Sequence, residues 1–282
     1  MKLVIVVVFR NSRRRRSYRL GQATEVPGSD FANVKFDTEN SVSTSNIVVI
    51  LSTQRSGSTY LCELLWRSDI CTAHEYFQPY QYMPMMAARW GAGREGEIDM
   101  ENYVSNLMRY RTNDNGWLGI NVHGSHIPAF QEALPWFRGV TFHYIYLYRL
   151  DTIAQAVSYE IASQTKRWSS NFDGNGETKY NFRQILKKLR RIDAQNTRIR
   201  AFLLVNQLPY KAVSYEELTK DGLNTVASIL PIRWRPPNLT GLKKQATAIN
   251  EDWRRRFATD YLRNECENES SLLERLFDAY LR

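Results

Sequence analysis

The stretch "IVVILSTQRSGSTYLCELL", residues 47–65, decides the fold. It opens on a continuous apolar run, the pattern of a strand buried on both faces of a parallel sheet. A loop of small polar residues follows. A helix then starts at Ser58 with no proline or long linker, carrying Tyr60, Leu61, Leu64 and Leu65 on one face. A loop between such a strand and helix presents unpaired backbone N–H groups and the positive end of the helix dipole. That makes it an anion site. Gly57 lets the backbone approach closely, Ser56, Ser58 and Thr59 add hydroxyl donors, and Arg55 adds a charged fork.

Outward from this loop, residues 46–51 read as the first strand and 58–67 as the first helix. Residues 79–116, rich in Met, Tyr and Arg, resist assignment apart from a helix over 100–110. A short strand is predicted at 117–122, a helix at 127–137, and a second clear strand at 140–149, "VTFHYIYLYR". A helix over 151–163 follows, with Asp151 placed to cap it. A long amphipathic helix is expected over 180–204, a strand leading into a helix at "YKAVSYEELT", and a late helix at 253–262. Strands alternating with helices, each strand nearly all apolar, predict one α/β domain over 46–282: a parallel sheet with helices on both faces. Ligands of such sheets bind at the carboxyl ends of the strands.

The chain has 282 residues and a formal net charge of +9. Its distribution argues against a nucleic-acid-binding face. Residues 1–22 contain Lys2, Arg10, Arg13, Arg14, Arg15, Arg16 and Arg19 and no acid; setting them aside leaves 31 basic residues against 29 acidic ones. The basicity belongs to a tail, and residues 1–45 are expected to be a flexible extension that could touch a membrane surface. No apolar run reaches the roughly 20 residues of a membrane helix. The three cysteines, Cys62, Cys71 and Cys266, are too few and scattered for a disulfide framework or a zinc site, and a reducing, cytoplasmic setting is expected.

The loop departs from an ATP-binding one. A Walker A motif would have an earlier glycine and a lysine after Gly57; here the only cation inside the loop is Arg55, ahead of the glycine. The second strand ends in Tyr148-Arg149, where a magnesium-binding carboxylate would be wanted. Arg149 is therefore expected to form a second anion anchor, with Ser158 nine residues on in the following helix. Two phosphate sites without metal ligands fit a nucleotide phosphorylated at both ends of its ribose, such as 3′-phosphoadenosine 5′-phosphosulfate, with no metal required.

Four motifs in order, "LSTQRSGSTYLCELL", "HEYFQPY", "YRLDTIAQAVSYEIASQTKRW" and "LKKQATAINEDWRRRF", resemble the bacterial trehalose 2-sulfotransferase-type family, which includes lipopolysaccharide sulfotransferases. The resemblance runs over residues 47–257. It implies a P-loop-related sulfotransferase fold and sulfuryl transfer to a sugar hydroxyl of a carbohydrate, glycolipid or lipopolysaccharide acceptor. It places the 5′-phosphosulfate on Arg55, Ser56, Gly57, Ser58 and Thr59. Arg149 and Ser158 receive the 3′-phosphate, with Lys243, Lys244 and Gln245 in a closing loop. Relatives form dimers, which makes a homodimer an expectation.

The resemblance also assigns Glu75, in "HEYF", as the general base, with Arg55 as a catalytic cation; His74 is the rival base on chemistry alone. Gln54, Thr72, His74, Glu75, Tyr76, Phe77, Gln78 and Trp168 are expected to line the acceptor pocket, with aromatic walls raising the carboxyl's pKa. Two departures stand out. Thr72 occupies the place of a second family carboxylate, and Asn121 that of a strand lysine: either Arg55, His123 or another group takes over the lysine's role, or activity is slowed or lost. The competing readings are a nucleotide-dependent small-molecule kinase and a non-catalytic binder acting through the arginine tail.

Overall fold

The computed structural model describes residues 17–38, 42–168, 177–231 and 248–280. In chain order these form β1 (Asn46–Ser52), α1 (Ser58–Arg67), α2 (Tyr82–Arg89), β2 (Gly93–Arg94), β3 (Glu97–Ile98) and α3 (Met100–Arg111). Next come β4 (Trp117–His123), α4 (Ile127–Ala133), β5 (Thr141–Tyr148), α5 (Thr152–Thr165) and α6 (Phe182–Val205). β6 (Tyr210–Ser214), α7 (Tyr215–Lys220), α8 (Gly222–Ile229) and α9 (Ala248–Tyr280) complete the order. The mixed α/β class and the parallel sheet are as expected. The stretch left unassigned contains α2 and the β2–β3 hairpin.

The main sheet has the order β4-β1-β5-β6, with every neighbouring pair parallel. β1 is central and its last six residues are buried, which is why it reads as unbroken apolar sequence. The connection leaving β1 leads to β4 on one side, and the connection leaving β5 leads to β6 on the other. The carboxyl ends of β1 and β5 therefore flank the crevice where strand order reverses, the place such sheets offer to ligands.

Where one domain was expected from residue 46 on, the chain divides into two compact units. One comprises Met1–Leu150 with Asp193–Leu242, the other Asp151–Ile192 with Lys243–Arg282. The first holds the sheet and two apolar clusters. One lies around Leu51, Tyr76, Phe77, Tyr103 and Phe130, and the other around Val48, Leu61, Leu64 and Ile145. In the second, Ala156, Val157, Ile185, Trp253 and Phe257 form a core of their own. There α5 starts as predicted: Asp151 Oδ1 accepts from the N–H of Ala154 at 2.8 Å.

The expectation of a flexible extension over 1–45 does not hold for its described part. Phe31 and Ala32 are buried, and the buried guanidinium of Arg111, at the end of α3, reaches this segment. Arg111 donates to the carbonyls of Phe31 and Asn33 and lies 2.6 Å from Asp37. A buried cation that satisfies two carbonyls and one carboxylate ties the segment to the body, because losing any partner would leave charge stranded in a dry site. Low hydrophobicity in the sequence concealed a clasp made of polar groups.

Candidate active site

Two groups of residues meet at the carboxyl end of the sheet. The first is built on the loop after β1. Gly57, with φ of 90°, is the N-cap of α1, and Arg55 holds the left-handed region at φ of 63°. A non-glycine residue held there stores backbone strain, a feature that concentrates at functional sites. A side chain added at Gly57 would put its Cβ 2.7 Å from Cδ2 of Tyr215, so this position needs both the positive φ and the missing side chain. The Ser56 hydroxyl is buried with no hydrogen-bond partner among the described residues. A buried donor of this kind calls for a ligand or water as its acceptor.

Tyr215 is set by the start of α7. Ser214 accepts from the Glu217 N–H through its hydroxyl, and the Glu217 carboxylate accepts from the Ser214 N–H, a reciprocal capping box. Arg149, directly after β5, lies over the Tyr215 ring with Cζ 4.5 Å from its centroid, and its Nε is 4.0 Å from Glu216 Oε1. Burial, then the positive charge of Arg149, hold the Arg55 guanidinium down to about 10, against a smaller opposing effect of Tyr215. Two guanidiniums that repel each other, one on the strand-loop-helix turn after β1 and one directly after β5, describe an anion site. Arg55 follows β1 and Arg149 follows β5, two neighbouring parallel strands. Tyr215, which joins them, was missed; an aromatic residue opening a short helix carries no distinguishing sequence signal.

The second group surrounds Glu75. Its Oε2 is 3.5 Å from His123 Nδ1 and 3.9 Å from His126 Nε2. Burial pushes the Glu75 carboxyl up to about 7, with His74 opposing the rise and Asp30 adding to it. The carboxyl nevertheless keeps a quarter of its side chain exposed, which leaves a way in for an acceptor. Asp30 comes from the N-terminal segment: its Oδ1 lies 3.5 Å from His74 Nε2, and its Oδ2 accepts from the Tyr82 hydroxyl at 3.0 Å. The sequence reading missed His126 and Asp30. The signal for His126 was its spacing from His123 just past the end of β4.

One ligand atom from each of Glu75, His123 and His126 lies within 4.8 Å of the others, a spacing able to hold a metal ion. A neighbouring amide already engages one of these ring nitrogens. The Gln54 amide nitrogen is 3.2 Å from His123 Nδ1, the nitrogen that also faces Glu75. A donor aimed at that lone pair competes with a cation for it.

Several expected pocket residues are placed elsewhere. Tyr76 and Phe77 are fully buried. The Tyr76 hydroxyl donates to the Thr72 carbonyl, and Phe77 packs edge-on to Tyr103 and Phe130. They are core residues and cannot stack on a sugar; aromatic composition alone did not separate wall from core. Thr72 is buried, and Gln78 uses its side-chain oxygen to accept from the Tyr80 and Gln81 N–H groups. Gln54 faces His123 and Gln195. His74, the rival base, is held low chiefly by burial. Asn121 is buried, its Oδ1 accepting from the Ser52 hydroxyl at 2.8 Å. Ser158, half-buried on α5, and Trp168, edge-on to Tyr159, belong to the second unit. Lys243, Lys244 and Gln245 lie outside the described residues.

Residues 137–260 match the family model described as Stf0 sulphotransferase. This is the family that the four motifs resemble. The match contains Arg149, Ser158, Trp168 and residues 243–245; the β1 loop and Glu75 lie outside it. No curated protein matches the chain. Among solved structures the chain is similar to the sulfotransferase domain of the Synechococcus PCC 7002 olefin synthase. That likeness is 13% identical, covers 68% of this chain and 74% of that chain, and has a TM-score of 0.41.

Proposed function

We propose that the chain transfers a sulfuryl group from 3′-phosphoadenosine 5′-phosphosulfate to a hydroxyl of a carbohydrate acceptor. The family match over 137–260 supports sulfuryl transfer in general. The observation that supports the donor is the convergence of Arg55 and Arg149 beside a loop whose buried Ser56 hydroxyl has no partner among the described residues. The loop amides and Arg55 would bind the phosphosulfate, and Arg149 the 3′-phosphate.

The acceptor hydroxyl attacks sulfur in line with the bridging oxygen. An O–S bond forms as the bridging S–O bond breaks, and the electron pair leaves with the phosphate. The hydroxyl proton goes to Glu75, whose raised pKa matches the demands of a base near neutral pH. Arg55 faces the charge that grows on the leaving phosphate, where a fixed cation lowers the barrier. The acceptor class, whether glycolipid, lipopolysaccharide or trehalose-like sugar, rests on the motif resemblance. So does the homodimer; the cytoplasmic setting, in which the N-terminal tail would make any membrane contact, rests on the three scattered cysteines. Among the described residues no helix is long and apolar enough to cross a membrane.

The test is Glu75→Gln. Transfer of labelled sulfate to a sugar acceptor should fall by about 100-fold or more, while affinity for adenosine 3′,5′-bisphosphate stays within about 3-fold of the parent. Full transfer by the variant, or magnesium-dependent ATP turnover by the parent with no sulfate donor present, would overturn the reading.

A further inference from the structure

Hydrogen bonds determine which nitrogen of each imidazole beside Glu75 carries hydrogen. The backbone N–H of Ser125 can only donate. It donates to Gln195 Oε1 at 3.2 Å, which turns the Gln195 amide nitrogen toward Gln54. Gln195 Nε2 donates to Gln54 Oε1 at 2.8 Å. Gln54 is thereby made to present its own NH2, 3.2 Å from His123 Nδ1. An amide nitrogen never accepts, so Nδ1 must, and neutral His123 carries its hydrogen on Nε2. His126 is assigned in the same way. Its Nδ1 accepts from the His123 N–H at 3.3 Å, which leaves Nε2–H as the edge toward Glu75.

We infer that the chain from Ser125 through Gln195 to Gln54 is a tautomer lock, which keeps His123 Nδ1 an acceptor and so reserves the site's mobile proton for Glu75. The inference rests on the reading of Glu75 as the base. An unconstrained imidazole 3.5 Å from a carboxylate would be the better proton acceptor at neutral pH. It would become an imidazolium paired with Glu75, and the carboxylate would lose basicity. With the lock in place, a proton on Nδ1 sets two N–H groups against each other and costs Gln54 its acceptor. The proton released in sulfuryl transfer therefore goes to Glu75 and leaves through the exposed quarter of that carboxyl.

An unprotonated Nδ1 also has no hydrogen to donate to Glu75 Oε2, so it gives the ionised carboxylate no hydrogen bond. The other titratable groups acting on or with Glu75 are Asp30, His74, Tyr82, Cys62 and His126. Those beside His123 are Glu75, His74 and His126. Gln54 and Gln195 are positioning residues in this scheme: they act on the base through His123.

The test is the ring-nitrogen spectrum of the full-length chain labelled with ¹⁵N. The chain has four histidines, so loss of one set of signals in His123→Gln assigns the residue. The lock predicts a neutral Nε2–H form of His123 throughout about pH 6 to 8, with no imidazolium. Gln54→Glu puts an acceptor where the donor was. In it His123 should gain Nδ1–H and titrate above pH 7, and the pH at which kcat is half-maximal should fall by about one unit or more. Parent His123 in the Nδ1–H form, or an ordinary midpoint near about 6.5, overturns the inference. Should Gln54→Glu fail to fold, the parent spectrum alone decides. A locked His123 in a protein that binds no adenosine 3′,5′-bisphosphate would instead overturn the sulfuryl-transfer reading and leave the lock standing.

Discussion

The ring of Tyr215 carries Arg149 on it, 4.5 Å from Cζ to centroid, and also occupies the space where a side chain at Gly57 would be. One aromatic ring therefore sets the distance between the two proposed anion anchors: the loop after β1 and the residue after β5. The capping box at Ser214 and Glu217 fixes where that ring stands. A structural device at one strand end positions the chemistry at two others.

Gly57→Ala tests this arrangement first. The new Cβ meets Tyr215 at 2.7 Å in a conformation that L-residues avoid, which should cost about 1–3 kcal/mol of stability. Because the loop must shift, affinity for adenosine 3′,5′-bisphosphate should fall by about 10-fold or more. Thermal melts with and without ligand measure both. Tyr215→Leu removes the ring's face from Arg149 and should weaken the same ligand by about 3–10-fold with little change in melting temperature.

Ionisation of Glu75 should leave a signature in stability that does not depend on turnover. Its carboxyl is raised to about 7 in the folded chain, above its unfolded value. The folded state then binds more protons than the unfolded state between these two values, so the contribution of Glu75 to stability falls as pH rises through that window. Above about pH 7 the ionised carboxylate costs on the order of 1–3 kcal/mol, at the low end because the group is partly open to water. Glu75→Gln has nothing to ionise. Its melting temperature should match the parent's near pH 5 and exceed it by several degrees at pH 8. Parallel melting curves across this range would contradict the raised pKa.

Arg111→Met should release the N-terminal segment. It removes the cation that holds the Phe31 and Asn33 carbonyls and leaves Asp37 with Arg89 and Trp90 as partners. Breaking such a buried network by one member costs about 3–5 kcal/mol. Limited proteolysis should cut within residues 17–38 faster than in the parent. Since Asp30 helps to raise Glu75, the half-maximal pH of turnover should move down.

What the sequence made legible follows from what each feature costs physically. The central strand is apolar at every inward position, so β1, its loop and α1 read clearly, and with them the crevice beside β5. The positions of Arg55 and Arg149 were legible because each comes just after a strand that reads clearly. Tyr76 and Phe77 were misplaced because core and pocket both favour aromatic rings, and only the packing of Tyr103 and Phe130 distinguishes them. Arg111, Asp30 and the Gln54–Gln195 pair act through distant partners: 80 residues separate Arg111 from Phe31, 52 separate Asp30 from Tyr82 and 141 separate Gln54 from Gln195, separations that no local pattern encodes. The same limit hid Tyr215, whose role exists only once β6 lies beside β5.

The most direct test of the paired-anchor account is calorimetric titration with adenosine 3′,5′-bisphosphate in a metal chelator, using the parent chain, Arg55→Ala and Arg149→Ala. The account predicts binding by the parent without metal and a loss of about 10–100-fold in each variant. Binding that requires magnesium, or that neither substitution weakens, would contradict it.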